Sequence, residues 1–179
     1  MLGYAAKRAF EPERSRVNVR EQVAQLFEEA RDDVYRYLLM LGLHPPQAQE
    51  ATQEVFLRLY ATLRKGEAIE SPRAWVFRVA HNLGLNTREK QNSYAPLEPE
   101  FEARLSSPQR DPEQTLLDKE RLARVGRAIQ DLSEQQRRCL FLRMEGLRYP
   151  EIGAILGIGA STVGEFLQRA IARLRKENS

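Results

Sequence analysis

Apolar residues recur at steps of three and four along most of the chain, and no stretch of useful length alternates apolar with polar, so the pattern predicts helices throughout. In the first half Val23, Leu26, Phe27, Ala30, Val34, Tyr37, Leu38 and Leu41 share one apolar face, which Gly42 and the Pro45-Pro46 pair should end. A second stripe, Ala48, Ala51, Val55, Phe56, Leu59, Tyr60 and Leu63, stops near Lys65-Gly66. Ser71-Pro72 sets up a third helix, because serine suits the N-cap and proline the first helical position. Trp75, Val76, Val79, Ala80 and Leu83 make its expected buried face, and at that spacing Trp75 reads as core rather than as a stacking platform.

The second half repeats the pattern with Leu116, Leu117, Leu122, Val125, Ala128, Ile129 and Leu132. Ser133-Glu-Gln-Gln136 has the form of a capping box, so a new helix should start there, turn Leu140 and Met144 inward and end at Gly146. The tail then reads as a short helix around Pro150 to Leu156, a tight break at Gly157-Ile158-Gly159, and a longer helix from about Ser161 to Arg175, which is helix-turn-helix spacing.

With 179 residues, 42% of them hydrophobic and 30% charged, the chain holds one or two small domains with real cores. Net charge is only +3, and its distribution is more informative: +2 over residues 1 to 16, −1 over 17 to 65, +1 over 66 to 92, −3 over 93 to 114 and +4 over 115 to 179. The acidic block also gathers Pro96, Pro99, Pro108 and Pro112 with Ser93, Ser106 and Ser107, which disfavours continuous helix. The expected fold is therefore all-α. A flexible arm over 1–20, rich in Arg and Glu, leads into a helical domain over 21–92, an acidic linker over 93–114 and a helix-turn-helix domain over 115–179.

Cys139 is the one cysteine, so no disulfide framework is possible, and with only His44 and His81 far off in sequence no cysteine-rich zinc site can form. It reads as a small buried hydrophobe. The histidines have no acid or nucleophile partner at motif spacing and read as surface or cap residues. No nucleophile, base or metal set stands at workable spacing, which argues against an enzyme and against a cofactor. No signal-peptide segment or membrane-length apolar run is evident, so a cytoplasmic protein without membrane insertion is expected.

In a helix-turn-helix the second helix enters the DNA major groove. Here Val163, Leu167, Ala170 and Leu174 fall on one side, assigned inward, and Ser161, Thr162, Glu165, Gln168, Arg169 and Arg173 on the other. Arg and Gln donate to purine edges or phosphates, Glu accepts from cytosine, and Ser or Thr does either. Arg175 and Lys176 would extend the phosphate footprint. Pattern alone leaves open whether this side reads DNA or is the solvated face of a small bundle.

Four stretches together carry a resemblance: VYRYLLMLG at 34 to 42, AQEATQEVFLRLY at 48 to 60, SPRAWVFRVAHNLGLN at 71 to 86, and LSEQQRRCLFLRMEGLRYPEIGAILGIGASTVGEFLQRAIARLRK at 132 to 176. In order and spacing the chain after residue 20 resembles the extracytoplasmic-function group of bacterial RNA polymerase sigma factors, two helical domains on a flexible linker. The resemblance implies that the second stretch docks on the coiled coil of the polymerase's largest subunit through Glu50, Gln53, Glu54 and Arg58. Residues 50, 54 and 58 stand one turn apart on one stripe, away from Val55, Phe56 and Leu59.

It implies further that the third stretch recognises and melts the minus-10 promoter element, with residues Lys65 to Ser71 forming the pocket loop for an unpaired base. Asn82 matches a position used there, and Arg73, Arg78, Arg88 and Lys90 are expected on phosphates. The fourth stretch would read the minus-35 element. There the chain departs from the pattern, because Gly164, Phe166 and Ile171 stand where relatives commonly carry basic residues, and fewer phosphate contacts mean weaker and less salt-dependent binding.

The expected function is a dissociable initiation subunit that binds core RNA polymerase, directs it to promoter DNA and helps open it. The acidic linker would run through the polymerase near its active-site or RNA-exit channel. An anti-sigma factor is a further partner that the resemblance implies. Two rivals remain: a helix-turn-helix regulator that acts independently of polymerase, and a sigma-like interaction protein without promoter recognition.

Overall fold

The computed structural model describes residues 11–92 and 126–177, with side chains from 18 to 90 and from 126 to 176. These residues are helical with no strand among them, and the chain divides into two compact units, Met1–Leu97 and Glu98–Ser179.

The first unit holds α1 (Glu11–Met40), α2 (Pro45–Arg64) and α3 (Pro72–Asn92), each packed against the other two. Ala30, Val34, Tyr37 and Leu38 of α1, with Leu41 just past its end, form a core with Ala48, Val55, Phe56 and Leu59 of α2 and Val76, Phe77 and Ala80 of α3. Aromatic rings meet edge to face within this core, Phe27 with Phe56 at 5.0 Å and Tyr37 with Phe77 at 5.7 Å between centroids. Gly42 closes α1 in a left-handed conformation (φ +98°), with its N–H on the Leu39 carbonyl at 2.9 Å and the Leu43 N–H on Leu38 at 3.2 Å. The proline pair, expected to terminate α1, instead opens α2, where the missing N–H groups would have had no helical partner. His44 sits just before it as the cap residue, its N–H donating to Gln47 Oε1 at 3.2 Å.

Three further expectations change. Helix α1 begins at Glu11, so half of the segment expected as a flexible arm over 1–20 is helical; residues 1–10 lie outside the described residues, as do 93–125, which hold the whole expected linker and Leu116 to Val125. His81, expected at the surface or in a cap, is 5% exposed, with Nδ1 2.9 Å from Tyr37 Oη. The reason is rotation: α3 wedges between two helices and buries Val76, Phe77, Ala80 and His81, while Trp75, Val79 and Leu83 are only half-buried.

The third change falls in the second unit. Residues 126–130 are helical, followed by α4 (Glu134–Met144), α5 (Tyr149–Leu156) and α6 (Ala160–Glu177). The capping box forms as expected, Gln136 N–H to Ser133 Oγ at 3.2 Å and Ser133 N–H to Gln136 Oε1 at 3.1 Å. Inward on α4, however, are Cys139 and Leu142; Leu140 is half-buried and Met144 is 77% exposed. They pack with Ala128, Leu132, Leu147, Ile152, Ile155, Val163, Leu167 and Ala170.

The helix-turn-helix depends on two glycines. Gly157 takes the left-handed conformation (φ +69°) that ends α5, and Gly153 lets the turn fold back on the helix. A Cβ at 153 would stand 2.6 Å from the Ile158 carbonyl oxygen, whose own N–H is already tied to the Gly153 carbonyl at 3.0 Å.

Gly153→Val should therefore destabilise the second unit by about 1–3 kcal/mol, read as faster amide exchange in α5 and α6. Burial pushes the Cys139 thiol up from 9.0 to about 11. The stability contributed by its neutral form is present in full below pH 9.0 and is lost as pH rises toward 11, because the unfolded chain ionises first. Urea unfolding of wild type and Cys139→Ala should show the difference between them shrink over that alkaline interval.

Candidate functional site

On α2 the side opposite the core carries Glu50, Gln53 and Arg58 exposed and Glu54 half-exposed. Helical periodicity places them there, since Val55, Phe56 and Leu59 are drawn inward and Thr52 turns its hydroxyl onto the Ala48 carbonyl at 2.7 Å. Arg58 Nε lies 2.7 Å from Glu54 Oε1, one turn away, which orients both groups at a surface where such a pair adds only about 0.3–0.5 kcal/mol. Leu57 stands among them 63% exposed, four residues from Gln53 and seven from Glu50. The sequence reading passed over it, because a leucine in an amphipathic helix defaults to the core; its phase with the polar stripe was the available signal. An apolar side chain among polar ones gains on being desolvated by a partner, whereas its charged neighbours lose hydration.

On α3 the expected DNA contacts separate into two groups. Arg78, Asn82 and Lys90 are exposed, and Asn86, which the sequence reading did not single out, completes a line of four-residue steps from Arg78 to Lys90. Arg88 is half-buried. Arg73 is turned into its own domain: Nη2 lies 3.0 Å from Asp33 Oδ2, the guanidinium sits 5.7 Å from the Phe77 ring centroid, and its side chain is 31% exposed. Asp33 also pairs with Arg36. Arg73 thus ties the start of α3 to α1 and holds Asp33 in place. In the loop before α3, Lys65 to Glu67 and Glu70 are exposed and Ile69 is half-buried.

On α6 the inward assignment of Val163, Leu167 and Ala170 holds, with Leu174 half-buried. Ser161, Glu165, Gln168, Arg169 and Arg173 are exposed and Thr162 half-exposed. Two of the cations are matched by acids: Arg169 Nη2 lies 3.5 Å from Glu165 Oε2, and Arg173 Nη2 lies 3.2 Å from Asp131 Oδ2, at the start of the turn before α4. Phe166 is half-buried and Ile171 is 42% exposed. Among the described residues no group of three His, Cys, Asp or Glu is placed to hold a metal ion, and no helix is long and apolar enough to cross a membrane.

Comparison with known proteins assigns the two units separately. Residues 26–94 match the family described as Sigma-70 region 2, and residues 122–174 match Sigma-70, region 4. The chain is similar to the ECF RNA polymerase sigma factor SigE of Mycolicibacterium smegmatis, 29% identical over 84% of this chain and 59% of that protein. It is also similar to the RNA polymerase sigma factor YlaC of Bacillus subtilis, at 26% identity over 88% of this chain and 92% of the relative. The ECF sigma factor SigK of Mycolicibacterium vanbaalenii is 25% identical over 87% and 81%. Among solved structures, the sigma factor RpoE in complex with the anti-sigma factor NepR from Bartonella quintana matches with a TM-score of 0.63 at 20% identity, over 88% of this chain and 96% of that one. CnrH in complex with the cytosolic domain of CnrY matches at 0.55 and 19%, over 92% of each chain.

Pairing with Asp131 offsets the positive charge of Arg173 on the exposed side of α6. Asp131→Asn should leave the melting temperature nearly unchanged, as expected for an exposed pair, while raising affinity for duplex DNA severalfold at low salt and steepening its salt dependence. Fluorescence anisotropy with labelled duplex across a salt series measures both.

Proposed function

We propose that this chain, which belongs to the extracytoplasmic-function group of RNA polymerase sigma factors, acts as an alternative sigma factor: it binds core RNA polymerase, directs it to a small set of promoters and assists their opening. The observation that carries the reading is the match of both sigma-70 regions, each falling on its own helical unit. The first presents an outward polar stripe and the second a helix-turn-helix. The family consists of initiation factors with no catalysis of their own, so the chain contributes binding energy and positioning, and the polymerase contributes the chemistry.

Division of labour follows from the surfaces. Glu50, Gln53, Glu54 and Arg58, with Leu57 at their centre, would dock on the coiled coil of the largest subunit, the leucine gaining by desolvation what the exposed ion pair cannot. Arg78, Asn82, Asn86 and Lys90 would line the minus-10 element, the asparagines bonding bases and the cations holding phosphates. Arg73 would support this surface from behind through Asp33. Ser161, Thr162, Glu165, Gln168, Arg169 and Arg173 would read the minus-35 element. The acidic segment 93–114 would thread the polymerase where its charge imitates nucleic acid, and the protein would work in the cytoplasm with the polymerase. Regulation by an anti-sigma factor is in keeping with the RpoE–NepR and CnrH–CnrY complexes that share its fold.

Mixing the purified chain with core polymerase and fragmented genomic DNA, then mapping the 5′ ends of the transcripts, tests the reading. New start sites preceded by two spaced elements are expected, lost with Gln53→Ala/Glu54→Ala and with polymerase affinity reduced about tenfold by Leu57→Ala. Polymerase binding without new starts would mean a sigma-like interaction protein. Duplex binding that ignores polymerase would mean an independent regulator. Either result overturns the proposal.

A further inference from the structure

Helices α1 and α3 meet along a seam whose pairs advance together on both helices. Toward their C-terminal ends Gly84 lies so close to α1 that a Cβ there would stand 2.6 Å from Leu41 Cδ1. Earlier along the seam the Tyr37 ring meets Phe77 edge to face, and Tyr37 Oη lies 2.9 Å from His81 Nδ1. One turn earlier again on each helix, Arg73 Nη2 lies 3.0 Å from Asp33 Oδ2, so the seam becomes ionic where α3 begins.

Just before that pair comes the loop between α2 and α3. Gly66, Glu67, Ala68 and Glu70 are exposed there and Ile69 is half-buried, so the place of the loop is decided chiefly by how its two ends are held. At the α2 end the Gly66 N–H meets the Leu63 carbonyl at 3.0 Å in a left-handed turn (φ +79°). At the α3 end residues 71–75 are only half-buried, and full burial begins at Val76. The ion pair thus holds the first turn of α3 where the core does not. The Arg73 guanidinium also packs 5.7 Å from the Phe77 ring centroid, and Arg36 takes the other oxygen of the Asp33 carboxylate.

We propose that Asp33 and Arg73 are positioning residues for promoter opening: their ion pair fixes the first turn of α3, and with it the loop 65–71 that receives an unpaired base. The inference rests on the sigma-factor reading, in which this loop forms the pocket. An apolar contact at this point of the seam would let the first turn slide and rotate, because hydrophobic burial is non-directional. A guanidinium bonded to a carboxylate sets distance and angle together. A pocket that tells one base from another has to be held to within about 0.5 Å, which such a bond provides. Arg73 therefore acts on DNA through the loop rather than by touching it. Asp33, although an acid, acts in the same direction as the cation it holds.

The test uses the full chain with core polymerase on a promoter found by mapping its start sites, with each base of the minus-10 element varied in turn. Opening is read from the permanganate reactivity of unpaired thymines. Arg73→Ala and Asp33→Ala should each slow opening of the preferred promoter about tenfold and flatten the preference among bases, with the double variant no worse than either alone. Arg73→Lys, which keeps a cation beside Asp33, should restore most of the loss. If an alanine variant melts below the assay temperature, Asp33→Asn, which keeps the shape and removes the charge, carries the same expectation. Equal slowing on every template with an unchanged base preference would make the pair merely structural and overturns the inference. Opposite effects, slower opening with Arg73→Ala and faster with Asp33→Ala, would make Arg73 a phosphate contact and overturn it too, as would no effect at all. Each of these leaves the sigma reading intact. A wild-type holoenzyme that opens no promoter overturns that reading, and this inference with it.

Discussion

Burial of Val163, Leu167 and Ala170 beneath α4 and α5 sets the rotation of α6 about its own axis, and with it which side chains reach solvent. Once those three are inside, Ser161, Glu165, Gln168, Arg169 and Arg173 are outside as a geometric necessity. The same holds in the first unit, where Val55, Phe56 and Leu59 of α2 hold Glu50, Gln53 and Arg58 outward. The inner half of each helix makes the core, and its burial fixes which side chains the outer half presents.

That coupling explains why small departures at the core have consequences at the surface. Gly153 permits the Ile158 carbonyl to approach, and this approach sets how α6 leaves the turn. On α3, the hydrogen-bonded contact between His81 and Tyr37 seats the helix on α1, and its immediate neighbour Asn82 is thereby presented to solvent. A polar pair in a core is tolerated when it is satisfied, and here it also specifies rotation.

Electrostatics plays a secondary part. Arg58 with Glu54, Arg169 with Glu165 and Arg173 with Asp131 are exposed pairs that contribute little to stability, and the last two moderate the positive potential around α6. Arg73 and Asp33 differ in being partly buried and in joining two helices. The uneven spread of charge along the chain, acidic over residues 93–114 and positive over 115–179, becomes informative beside these pairings.

Much of this was legible in the sequence because it depends on neighbours three and four residues apart. Helical class, the ends at Gly42, Gly146 and Gly157, the Ser133 capping box and the inward line of α6 all follow from local spacing and local hydrogen bonds. So did the outward placement of Gln53 and Gln168. Tertiary structure decided what depends on residues far apart: Arg73 meeting Asp33 across 40 positions, Arg173 meeting Asp131 across 42, and Tyr37 meeting His81 across 44. It also decided which of two adjacent stripes faces inward on α3 and α4, burying His81 and exposing Met144, because a helix wedged between others buries a wider arc than a single stripe. The contact of Tyr149 with Gly164 belongs to the same class, its ring Cε2 3.5 Å from where a Cβ of residue 164 would stand, because only the packing of α5 on α6 brings the two together.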